Sequence, residues 1–176
     1  MPPVRLMVGP VGEYVPTTNL YQAGEVTGPR SGRVGASVTA LPDGRVVLIG
    51  GASLKTGLVD PTGRWATPSA LGDLLDTVEI FDPSRGSFEA LSLDATNAQT
   101  LYYPRAFHAA VYLPRHRWIA VVGGYEQAGP GAPIQESYHI EVFDPESKQF
   151  LDRSLVGDLG FPRVHAAAVA LDYGDL

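Results

Sequence analysis

The chain of 176 residues contains no cysteine. Disulfides, thiolate metal sites and a cysteine nucleophile are therefore excluded. Lysine is nearly absent, with only Lys55 and Lys148, and the formal net charge is −6. A duplex-binding surface carries an excess of Lys and Arg, so nucleic acid is not an expected partner. Long hydrophobic runs are missing too. The longest, around residues 46–49 and 118–122, fall far short of the roughly 20 residues that cross a bilayer as a helix, and no membrane span is expected. The opening Met1-Pro2-Pro3-Val4-Arg5-Leu6 lacks a basic segment followed by an apolar core, the pattern of a signal peptide. That reading leaves the compartment open: cytoplasmic if Met1 is the true start, extracytoplasmic if the chain is a piece of an exported parent.

Chemical motifs are equally sparse. Glycine fingerprints for phosphates or dinucleotides do not occur, nor does Gly-x-Ser-x-Gly, nor a Ser-x-Asp-x-Gly-x-Thr-Trp box. The four histidines, His108, His116, His139 and His165, show no His-x-x-x-His spacing. No metal, no cofactor and no catalytic residue is expected from this segment. Glu79 and Glu141 are related only by repetition and are expected to face solvent or a neighbouring unit.

Repetition dominates what is present. Glycine (20) and proline (15) are both frequent, as suits many short strands joined by turns. Three stretches align without gaps, at residues 33–41, 105–113 and 163–171. Each opens on an arginine (Arg33, Arg105, Arg163) and closes on a leucine (Leu41, Leu113, Leu171). Turn residues follow each one. Two apolar runs then end in paired glycines, Val46-Val47-Leu48-Ile49-Gly50-Gly51 and Trp118-Ile119-Ala120-Val121-Val122-Gly123-Gly124. Short β-branched runs bounded by turns read as buried strands. Glycine there permits unusual φ and close approach of another backbone. Val78-Glu79-Ile80-Phe81-Asp82-Pro83 matches Ile140-Glu141-Val142-Phe143-Asp144-Pro145, with Phe88 and Phe150 at a common offset beyond. Alternation marks a half-buried strand, and Asp-Pro opens a turn.

The unit is four strands, a to d, expected at residues 36–41, 46–50, 77–81 and 87–91, and again at 108–113, 118–123, 139–143 and 149–153. Arg…Leu, turn, apolar run to Gly-Gly, Phe-Asp-Pro and a last aromatic together resemble the kelch repeat. The resemblance covers residues 33–171. The period is roughly 60 to 70 residues, against the family's roughly 50, because loops have grown. It implies an all-β protein of four-stranded antiparallel blades around a central channel. The divisions are a lead-in at 1–32, read either as outer strands of a preceding blade at 4–8 and 19–26 or, given its dense Pro and Gly, as a partly irregular segment; a blade at 33–104; a blade at 105–162; and the first strand of a third at 163–176. The expected partners then include remaining blades, from the same parent chain or from other copies. At the family's usual histidine position, His108 is expected to make a structural hydrogen bond. Oxidases of this resemblance need a Cys–Tyr crosslink at copper, which this segment lacks.

Antiparallel order puts the a–b and c–d turns on one side and the b–c and d–a connections on the other. The first set is short, at 42–45, 82–86, 114–117 and 144–148. The second is long, at 52–76, 89–104, 125–137 and 154–162. Recognition gathers on long loops held by rigid scaffolds. The resemblance therefore implies a binding or scaffold module for a protein, peptide or glycan, rather than an enzyme. The alternative is part of a carbohydrate-active propeller enzyme with its catalytic groups outside this segment. Candidate contacts are Arg33, Arg105 and Arg163 at the channel mouth, with Arg64, Trp65, Tyr102, Tyr103, Tyr125 and Glu126 in the long loops. Forked arginines suit anions, and Tyr, Trp and Arg are favoured at interfaces. A structural role for the repeated arginines, tied to backbone carbonyls or to an Asp of the same unit, is the competing reading.

Overall fold

The computed structural model describes residues 6–7, 12–15, 20–23, 33–54, 71–91 and 99–171. The protein is all-β: among the described residues the only helical turn is a single 3-10 turn at Arg153–Leu155. No helix among them is long and apolar enough to cross a membrane.

Two four-stranded antiparallel sheets form the centre. The first joins β4 (Ser37–Ala40), β5 (Val46–Ile49), β8 (Val78–Asp82) and β9 (Ser87–Ala90) in that order. The second joins β11 (Ala109–Leu113), β12 (Trp118–Val122), β15 (Ile140–Asp144) and β16 (Gln149–Phe150). The two share one register: Val46 pairs with Phe81 and Ile119 with Phe143, while Phe81 pairs with Phe88 and Phe143 with Phe150. The rings of each Phe pair lie tilted against each other, with centroids 5.1 and 5.0 Å apart, contacts that stabilise an antiparallel pair by roughly 0.2–1 kcal/mol.

Turn chemistry repeats as well. Asp82 accepts from the Ser84 amide at 2.8 Å, and Asp144 from the Glu146 amide at 2.9 Å. The turns close on left-handed residues, Gly86 (φ 61°) and Lys148 (φ 59°). Between the sheets lies one apolar core that includes Leu41, Val47, Ile49, Ile80, Ile119, Val121 and Phe143.

The paired glycines join the sheets. Each leads its strand into a short extension beyond the sheet. The first continues as β6 (Ala52–Leu54), paired with β7 (Leu71–Leu74). The second continues as β13 (Tyr125–Gln127), which pairs with both β10 (Arg105–Ala106) and β14 (Ile134–Glu136). Residues 125–137, expected as a loop, are thus largely a β-hairpin. At the joint, the Gly51 amide donates to the Arg105 carbonyl at 2.8 Å, and the Gly124 amide to the Arg163 carbonyl at 2.7 Å. The preceding glycines have φ of 62° and 63°. A Cβ on Gly50 would lie 2.5 Å from the Arg105 oxygen, and one on Gly123 only 2.3 Å from that of Arg163.

Three further expectations change. Strand β8 is buried on both sides rather than half-buried, because Glu79 faces inward. The expected strand at 149–153 stops at Phe150, since the Asp152 side chain accepts from the Ser154 amide at 2.8 Å and starts the 3-10 turn. Residues 166–171 belong to no sheet, and their exposure alternates residue by residue. In the lead-in, β1 (Leu6–Met7), β2 (Gly12–Val15) and β3 (Leu20–Ala23) make a three-stranded antiparallel sheet. Gly12–Val15 had no expected strand.

The joint predicts an asymmetry among glycines. Gly123→Ala combines a left-handed φ with a backbone collision, and should cost at least about 3 kcal/mol in urea unfolding. Gly86→Ala has the same φ but open space around it, and should cost only about 1–2 kcal/mol. Equal losses would contradict the joint.

Candidate functional site

The repeated arginines occupy equivalent, buried positions in the first two units. The Arg105 side chain is 0% exposed. Its Nη1 donates to the carbonyls of Gly123 (3.1 Å) and His139 (3.0 Å), and its Nη2 to Glu141 Oε1 (2.5 Å). Arg33 repeats this on Gly50, Thr77 and Glu79. Glu79 and Glu141, expected to face solvent or a neighbour, are instead buried against the arginine of their own unit. The reason is electrostatic: a buried guanidinium needs a counter-charge and saturated donors. Burial pulls both guanidinium groups below their usual value, and the paired glutamates push back. Glu141 also accepts from the Tyr102 and Tyr103 amides at 2.7 and 3.4 Å, fastening the connection that enters the second unit. Arg33 and Arg105 thus spend their donors inside the fold. Arg163 differs: it is exposed, and its Nη1 donates to the Pro162 carbonyl at 3.0 Å.

His108 bridges the sheets rather than serving its own, with Nε2 2.9 Å from Ser37 Oγ. Burial, helped by the Arg105 charge, pushes its pKa down to about 3.

On the long-connection side the second unit carries a cluster that the first lacks. Glu126 Oε2 accepts from Ser137 Oγ at 2.5 Å and pairs with His139 Nδ1 at 2.7 Å, while Oε1 accepts from Gln135 Nε2 at 3.0 Å. Burial raises the Glu126 pKa, but these hydrogen bonds together hold it below the usual carboxylate value. The His139 ring stacks on Tyr103 at 4.5 Å and packs on Tyr138 at 4.2 Å. The Arg153 guanidinium lies over Tyr103 at 4.8 Å and Tyr102 at 5.3 Å. At the matching positions of the first unit stand Ser53, Asp76 and Thr77. That unit builds the same sheet without the cluster, so the fold does not require it.

Of the residues expected to make contact, Tyr102 is exposed and Tyr103 lies within the stack. Tyr125 is half-buried against Phe107 and His165. Glu126 is buried as the organiser of the cluster. Arg64 and Trp65 lie outside the described residues. His139, Tyr138 and Arg153 were not expected. The signal for the first two was their departure from the repeat at 76–77. Among the described residues no group of three or more His, Asp or Glu could hold a metal ion.

No protein-family model matches the chain, and no curated protein matches it either.

Two outcomes follow. Removing one partner of a buried ion pair strands the other, so Glu141→Leu should lose about 3–5 kcal/mol in chemical unfolding. His108 binds its proton more readily unfolded, at a pKa near 6.5, than folded, at about 3. Its contribution is therefore complete above pH about 6.5 and is lost as the pH falls toward 3. Unfolding free energies measured from pH 7 to 4.5 should fall less steeply for His108→Gln than for the parent; parallel curves would contradict the assignment.

Proposed function

We propose that this chain is part of a kelch-type β-propeller, two blades and the first strand of a third, serving as a binding or scaffold module. Support comes from the shared register of the two sheets, the arginine–glutamate clamp repeated in each, and the Gly-Gly joint that ties each unit to the arginine of the next. In this reading the partner is a protein, peptide or glycan, held on the face of the b–c and d–a connections.

One observation carries the choice of face. Seven large hydrophobic residues are exposed among the described ones. Four are on the long connections: Tyr102 (69%), Tyr138 (43%), Leu155 (75%) and Phe161 (72%). Val38 is in β4, Val169 and Leu171 are in the final segment that belongs to no sheet, and none of the seven is on a short turn. Exposed aromatic and apolar groups concentrated on one side mark an interaction surface. Tyr102 and Tyr138 flank the stacked Tyr103–His139 pair, a rigid base that loses little entropy on binding. Arg163 adds a cation exposed on the same side, whereas Arg33 and Arg105 act through the fold.

Peptide and glycan arrays probed with the intact chain test this. Ligands found there should lose at least about tenfold in affinity with Tyr102→Ser/Tyr138→Ser and be unaffected by Arg85→Ala on the short-turn side. Retention by the double variant, or loss with Arg85→Ala, would contradict the choice of face.

A further inference from the structure

The opposite, short-turn side holds a cleft of about 470 Å³ between the two four-stranded sheets, within the range of small-molecule sites. Its walls are apolar and stiff: Leu41 and Pro42 from the first sheet, Tyr112, Pro114 and Pro145 from the second. Three prolines fix the backbone around it, so a ligand finds the walls already in place.

Its polar groups divide into committed and uncommitted. Asp43 and Glu146 also line the cleft, and both are held by Arg45, at 2.7 and 2.6 Å. That bridge spans the two sheets. Arg117 lines the cleft from the second sheet, at the position equivalent to Arg45. Where Arg45 has Asp43 two residues before it, Arg117 has Arg115, a like charge. Neither the Arg117 guanidinium nor the Tyr112 hydroxyl has a hydrogen-bond or ion-pair partner among the described residues. The cleft therefore offers an apolar body, two uncommitted donors and two carboxylates whose charge is already shared.

We propose that this cleft binds an apolar carboxylate, with the acid group on Arg117 and Tyr112 and the hydrocarbon against Leu41 and the prolines. A guanidinium takes a carboxylate through charge-assisted, forked hydrogen bonds. The chemistry is shared by a free aliphatic acid and by the C-terminus of an apolar peptide. The site is independent of the long-connection face, and either can fail without the other.

NMR titration of the intact, isotope-labelled chain with hexanoate, hexanamide and hexylamine tests the site. Hexanoate should give saturable amide shifts confined to residues 41–43, 112–117 and 145–146, with hexanamide at least about tenfold weaker. Arg117 has φ 59°, a conformation that asparagine tolerates. Arg117→Asn should thus keep the fold, seen in unchanged spectra elsewhere, and weaken hexanoate at least about tenfold. Tyr112→Phe should weaken it several-fold. N-acetyl-Leu-Leu as free acid and as amide separates the sources: tighter binding of the free peptide acid than of hexanoate assigns a chain terminus, and the converse a small metabolite-sized acid. Preference for hexylamine, indifference to Arg117→Asn, or no saturable shift with either acid would overturn the proposal.

Discussion

A guanidinium buried without water must be neutralised and have its donors filled, and the structure is organised around that requirement. Arg105 meets it with Glu141 and two carbonyls, Arg33 with Glu79 and the equivalent pair. These contacts tie the segment that leads into the first strand to the second and third strands of that strand's sheet. The arginine backbone then faces the other way, its carbonyl accepting from the second glycine of the preceding unit. Arg105 thereby fastens the sheet that follows it and docks it onto its neighbour. The glycines follow from it, because no side chain fits where the arginine carbonyl lies.

With the clamps holding the sheets, the connections are free to differ. The first unit uses Ser53 and Thr77 where the second uses Glu126 and His139. The second adds Tyr103, Tyr138 and Arg153 in a stack around the histidine. A repeat protein supplies its own control here. What both units share serves folding, and what one alone carries is not needed for it. The same comparison separates Arg45, engaged by two carboxylates, from Arg117, which has Arg115 in place of the acid.

Much of the sheet framework was legible in the residues. Apolar runs and Phe-Asp-Pro turns fixed seven of the eight central strands to within a residue or so, because local alternation and turn chemistry decide them. The exception, after Phe150, ended early through a single side-chain-to-backbone bond from Asp152. Less legible was anything set by distant partners. Glu79 reads as the polar side of an alternating strand; it is buried against Arg33, 46 residues away. The extension β13–β14 was hidden because Gly123-Gly124 reads as an end, whereas the glycines redirect the strand. Of the candidate contacts, Tyr102 and Arg163 are exposed on the long-connection side, while Arg33, Arg105 and Glu126 are drawn inward by partners that spacing does not reveal.

The most direct measurement of the clamp is a double-mutant cycle on Arg105 and Glu141, using Arg105→Met, Glu141→Leu and the pair. If the two charges exist to neutralise each other, the double variant should be much less unstable than the sum of the singles, with a coupling of about 2 kcal/mol or more in urea unfolding. Additive losses would mean that each residue acts alone, and the account of how these sheets close and dock would be wrong.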